Sequence, residues 1–200
     1  SFPSLPVFAA PPDTCQCIWQ GSFNRVIAKA DLIVSGKIIA RKGNSMDLTI
    51  DRTLLDRASN GKEFNEDIRV WGFDGQQCRP EVKEFPLESH WLFALKKIIT
   101  DSPDRFNPNT PNIGFGRIND YYLSMCGAYW LQVHENFVTG NLLNGQRWEW
   151  NNVEMNPVLI DLIEAYAKGI VPLQALAEAA KPQTAAKKLL EETKSFLNQQ

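Results

Sequence analysis

Histidine is nearly absent from this 200-residue chain, and cysteine is sparse: there are 2 His and 4 Cys. A structural zinc site draws on Cys-x-x-Cys knuckles or on histidines close to cysteines. Neither His90 nor His134 lies near a cysteine, and Cys15, Cys17, Cys78 and Cys126 form no such knuckle. No metal ligands and no cofactor are therefore assigned. No apolar run approaches the ~18–20 residues of a membrane span, which excludes a transmembrane helix. A basic excess is lacking too. The formal net charge is −2 and the pI about 5.7, which argues against a nucleic-acid partner and against a polybasic membrane-surface protein. There is no Asn-x-Ser/Thr acceptor for N-glycosylation. Internal repeats and low-complexity segments are absent.

Enzyme signatures are missing as well. Asn60-Gly61-Lys62 lacks the strand-loop-helix frame and the following Ser/Thr of a phosphate loop, and there is no Gly-x-Ser-x-Gly elbow. His134-Glu135 opens like a zinc-protease motif, but Val138 stands where the second histidine belongs. Asp47, Asp51 and Asp56 alternate with apolar residues, the pattern of a strand's solvated face. No catalytic residue is assigned, and the chain reads as a non-enzyme. Trp148 and Trp150 flank Glu149. Core packing of at least one is favoured over an aromatic patch for a partner.

What is present is an ordinary globular composition, 44% hydrophobic and 22% charged. A chain of this length buries a real core without needing metals or disulfides merely to fold. The cysteine count is even, with two close together as Cys15-Gln16-Cys17 and two far downstream. Two disulfides are favoured over a metal or redox site and over plain buried thiols. Four cysteines allow three connectivities. A Cys15–Cys17 bond would close a very tight ring, which favours remote partners. Each remote bond closes a loop of ~60 to ~110 residues, worth on the order of 4–5 kcal/mol in chain entropy. Such bonds imply export from a reducing cytosol, to the extracellular space or the periplasm. Residues 1–14 read as an arm or the remnant of a signal peptide, with Val7-Phe8-Ala9 resembling a signal-peptidase site.

Along the chain, Phe23, Val26 and Ile27 share one helix face between Ser22, a candidate N-cap, and Ala30. Strands are expected over Asp31–Ala40, Met46–Leu55, Asp67–Phe73, His90–Lys97, Tyr121–Met125, Tyr129–Val133 and Phe137–Thr139. Asn60-Gly61 marks a turn, and Ser102–Asn119 reads as a long exposed loop, either a plain surface excursion or a lid. Asn156-Pro157 carries the signature of a helix start, and Val158, Leu159, Leu162, Ile163 and Tyr166 form an apolar stripe ending at Gly169. Shorter and longer helices follow over Leu173–Ala180 and Thr184–Asn198. The layout implies a mostly β fold, a compact barrel or sandwich with flanking helices: a β domain over 15–155 and C-terminal helices over 156–200.

These residues resemble the tissue inhibitors of metalloproteinases and the wider netrin-like modules. The likeness lies in Cys15-Gln16-Cys17, then Phe23, then Ala30-Asp31-Leu32-Ile33-Val34 with Gly36-Lys37-Ile38. It continues in Cys78 ahead of Trp91-Leu92-Phe93-Ala94-Leu95-Lys96, and in Tyr122-Leu123-Ser124-Met125-Cys126. It implies an OB-fold-like, five-stranded Greek-key barrel, with Cys15 paired to Cys78 and Cys17 to Cys126. It also implies a helix packed on the barrel over Asn156–Lys168. In inhibitory members the first cysteine is the mature N-terminus, and its α-amine and carbonyl chelate the protease zinc. Cys15 has fourteen residues before it here, and the family's further disulfides and second subdomain are missing. The resemblance therefore implies a secreted or periplasmic module that binds a protein partner. The alternative is a metalloproteinase inhibitor whose ridge is Cys15, Gln16, Cys17 and Gln77, active only after processing to Cys15.

Overall fold

The computed structural model describes residues 15–58, 66–100, 113–143, 145, 155–182 and 184–199. The Val7-Phe8-Ala9 site, the Asn60-Gly61 turn, the first part of the 102–119 loop and the Trp148-Glu149-Trp150 cluster lie outside these residues. Five strands close a barrel. They are β1 (Leu32–Lys42), β2 (Ser45–Asp56), β3 (Asp67–Trp71), β4 (His90–Lys97) and β5 (Tyr121–Tyr122). The order runs β1-β2-β3-β5-β4, and β4 pairs back onto β1 to close the ring. Only the β3–β5 pairing is parallel within that ring. This is the OB-fold-like barrel with flanking helices. Strands β6 (Trp130–His134), β7 (Phe137–Thr139) and β8 (Val158–Leu159) extend the sheet outward from β4.

Period-two alternation gives β2 one face toward the core and one toward the outside. Leu48 and Ile50 are buried while Thr49 and Asp51 turn outward. Asp47 pairs with Arg69 at 2.9 Å on this outer face. The β1–β2 register slips between Ser35 and Gly36. A Cβ added at Gly36 would stand 2.3 Å from the Thr49 carbonyl oxygen, so only glycine lets the two backbones approach this closely at the irregularity. At the foot of the barrel Phe85 meets Trp91, Phe93 and Trp130 edge-on, with ring centroids 5.1, 5.4 and 5.4 Å away.

Several local expectations are corrected. The first helix, α1, is only Phe23–Val26, continued by a 3-10 turn over Ile27–Lys29. The Ser22 hydroxyl does not cap it but bonds the Asn24 side chain. The strand expected over Tyr121–Met125 stops at Tyr122. The Asn156-Pro157 start is displaced: Val158 and Leu159 pair with Val138 and Phe137 as β8, and helix α2 runs Ile160–Ala167. Leu159 is exposed, whereas Ile160 and Ile163 are buried. The end of the 102–119 loop is not a free excursion. The Asn44 side chain donates to Gly114 O at 2.7 Å and accepts from Gly114 N at 2.9 Å.

Helix α2 is fastened by charge as well as by packing. The Arg52 guanidinium on β2 bonds both Asp161 and Glu164. Lys168 Nζ reaches Glu164 at 2.6 Å; that bond, with help from Arg52, holds the Glu164 carboxyl below its ordinary pKa. Helix α3 (Leu173–Ala180) buries Leu176 and Ala180.

Helix α4 (Thr184–Asn198) differs. Leu189, Leu190, Phe196 and Leu197 are 55–64% exposed. Deleting residues 183–200 is therefore expected to shift Tm by no more than ~4 °C, the effect of ~1 kcal/mol in a chain of this size. Loss of the cooperative transition in that truncation, followed by calorimetry, would show that α4 belongs to the core.

Candidate functional site

The segment from Cys15 to Gln20 enters the barrel surface in extended form. In such a chain, residues two apart share a face. Cys15, Cys17 and Trp19 are half-buried on one side; Gln16, Ile18 and Gln20 are exposed on the other. Ile18 is 89% exposed. An extended strand of this length has no way to hold itself in place, and its anchors are remote in sequence. Cys15 is bonded to Cys78 and Cys17 to Cys126, with Cα atoms 5.1 and 5.8 Å apart.

Backbone bonds fix the same corner independently of sulfur. Gln20 N donates to Cys126 O at 2.7 Å, Ala128 N to Gly21 O at 3.0 Å, and Met125 N to Cys78 O at 3.0 Å. This last bond explains why β5 ends early, since the chain after Tyr122 turns to meet the Cys78 loop. The Tyr129 hydroxyl donates to the Gln20 side chain. Burial pushes its pKa up to about 12, so it remains a donor across the physiological range.

Gln77 is exposed on the neighbouring turn, where Asp74 Oδ1 accepts from Gln76 N at 2.9 Å and Gln77 N at 2.8 Å. The structure thus gives Gln16, Ile18 and Gln77 exposed positions around the disulfide corner. Ile18 was not singled out from sequence. Its signal was the alternation that starts at Cys15, readable only once the segment is known to be extended.

Arg79, next to Cys78, also escaped the sequence reading. It is 3% exposed, and its guanidinium lies 4.7 Å from the Phe115 ring and 4.5 Å from the Tyr122 ring. It donates to Phe115 O at 2.6 Å, while Nε has no hydrogen-bond partner among the described residues. Burial lowers its pKa, yet arginine keeps its charge. The stacked cation ties the Cys78 loop to the segment after residue 112.

His90 and His134 are both exposed. His90 Nε2 lies 3.7 Å from Asp51 Oδ2. The four cysteine sulfurs lie within 4.8 Å of one another. No helix among the described residues is long and apolar enough to cross a membrane. No family model matches the chain, and no curated protein matches it.

Proposed function

We propose that the chain is a secreted or periplasmic netrin-like module, non-enzymatic, that binds a protein partner through the pinned N-terminal segment. The observation that carries this reading is the exposure of Ile18 on a segment tied down at both Cys15 and Cys17. A large apolar side chain gains ~1.5–3 kcal/mol when fully buried. Holding the segment rigid beforehand removes ordering entropy from the cost of association. Gln16, on the same exposed face two residues before Ile18, and Gln77, exposed on the turn before Cys78, carry amide groups that donate and accept hydrogen bonds. The two disulfides support an oxidising compartment. A photo-crosslinker at position 18 should capture a discrete partner from the secreted milieu, while one at the exposed His134 should not. Equal labelling from both positions would defeat the reading.

The inhibitory alternative rests on the same segment, because Cys15, Gln16 and Cys17 lie in it. With any residue ahead of Cys15, its nitrogen is an amide, a poor zinc ligand, and the preceding chain collides with a protease. Protein whose N-terminus is confirmed by mass spectrometry to lie upstream of Cys15 should leave matrix metalloproteinases uninhibited at micromolar concentration. Potent inhibition by that form would overturn the non-inhibitory reading. Protein trimmed to begin at Cys15 tests the alternative directly.

A further inference from the structure

We propose that the corner formed by Cys15, Cys17, Cys78 and Cys126 is a redox-gated metal site: two disulfides when oxidised, and a four-thiolate site for a zinc-class divalent ion when reduced. The inference goes beyond the binding-module reading and does not depend on it.

All four sulfurs lie within 4.8 Å of one another, and Cys15 Sγ and Cys17 Sγ, which are not bonded to each other, are 3.9 Å apart. A tetrahedral four-thiolate zinc site with Zn–S bonds of ~2.3 Å has S···S edges of about 3.8 Å. The Cys15–Cys17 edge is already of that length. The other cross-pairs need to close by at most about 1 Å, and the two bonded pairs need to open to the same edge.

The disulfides alone do not make the corner. Met125 N donates to Cys78 O, bringing the Cys78 and Cys126 loops together, and Gln20 N donates to Cys126 O, bringing the Cys17 segment to them. The Cys126 amide is further held by the Ser124 hydroxyl at 3.1 Å. Cys15 and Cys17 face the same way because they are two apart in an extended chain. With the S–S bonds broken, these contacts are what remains to place the ligands as the chain folds around the metal. The absence of a Cys-x-x-Cys knuckle, which counted against a metal on the sequence, is offset by four ligands converging from three separate loops.

Two equivalents of a dithiol reductant are each oxidised to a disulfide and deliver four electrons and four protons. Both protein S–S bonds break, giving four thiols. Binding the divalent ion then releases four protons and forms four metal–sulfur bonds. Soft thiolates select zinc over the hard cations magnesium and calcium. The metal would hold the Cys15–Gln20 segment to the barrel as the disulfides do.

The test uses the full chain, reduced anaerobically with a dithiol and freed of it, then titrated with cobalt(II) and zinc. One equivalent should bind, with the d–d and thiolate-to-metal bands of a tetrahedral four-sulfur site, and native mass spectrometry should show one zinc gained and four protons lost. The oxidised protein should bind none. Cys17→Ser and Cys126→Ser should each weaken binding by more than ~100-fold, since even an outer-shell partner accounts for ~10–100-fold. Binding by the reduced chain should be weaker in urea than in buffer, where the fold re-forms around the metal. A stoichiometry other than one, retention of the spectrum in the serine variants, or equal affinity in urea would each overturn the proposal.

Discussion

Ile163→Asp is expected to abolish the cooperative unfolding transition. Ile163 is fully buried in α2, a helix that packs against β2, β8 and α3. The substitution forfeits ~1.5–3 kcal/mol of apolar burial. It also places a carboxylate in the core, where an unpaired charge costs several kcal/mol more or must be neutralised. The cations that α2 does engage are committed elsewhere: Arg52 bonds Asp161 and Glu164, and Lys168 bonds Glu164. The sum approaches the whole stability of a domain, ~5–15 kcal/mol. Leu162→Asp is the internal control. Leu162 is only half-buried at the edge of the same helix, so a carboxylate there reaches water, and the loss should be on the order of 1–3 kcal/mol. Urea titrations followed by circular dichroism separate the two. A native-like transition in Ile163→Asp would show that α2 is not integral to the fold.

The sequence led to Leu162 and Ile163 together, as one stripe, and could not rank them. Its helix began at Pro157 because Asn-Pro is a sound local start signal. What displaced that start is not local. Val158 finds Val138 across the sheet, and Ile160 N donates to Asn136 O at 2.9 Å, so pairing with β7 outcompetes helix propensity for two residues. The barrel strands were legible because β2 and β4 are long and patterned. Strand β5 was not, since Leu123 to Met125 read as strand but are drawn off to meet the Cys78 loop.

The same limit applies to the site. Exposed Gln16 and Gln77 came through the family likeness, and the anchoring of Gly114 by Asn44 has no local signal, because one asparagine gives no sign of the 70-residue reach its amide spans. Spacing alone favoured remote partners and left two connectivities between them open. The convergence of all four sulfurs follows from two remote disulfides and from backbone bonds joining Gln20 to Cys126 and Met125 to Cys78, none of which is local in sequence.

Removing either disulfide is expected to lower Tm by roughly 8–20 °C, and removing both without metal should leave little cooperative folding. The Cys17–Cys126 bond spans 109 residues and the Cys15–Cys78 bond 63. Chain entropy assigns them about 5 and about 4 kcal/mol, and each kcal/mol moves Tm by about 2–4 °C in a chain of this size. Taken alone, with the other bond absent, the longer loop contributes ~0.5 kcal/mol more. The bonds are not independent, since Cys15 and Cys17 are near neighbours. With either one in place, the other closes a loop of roughly 50 residues through Cys78 and Cys126, worth about 4 kcal/mol. Losing both therefore removes about 9 kcal/mol by the same model, most of a domain's ~5–15 kcal/mol. Thermal melts of the two pairwise variants and the four-serine variant measure each step. Unchanged melting in both pairwise variants would show that these bonds do not constrain the native protein. The reduced wild-type chain occupies a different position from the four-serine variant, because it keeps its sulfurs. Metal binding by four thiolates contributes ~10–16 kcal/mol in small zinc domains, comparable with what the two disulfides supply. Zinc should accordingly restore a cooperative melt to the reduced wild type and leave the four-serine variant unchanged.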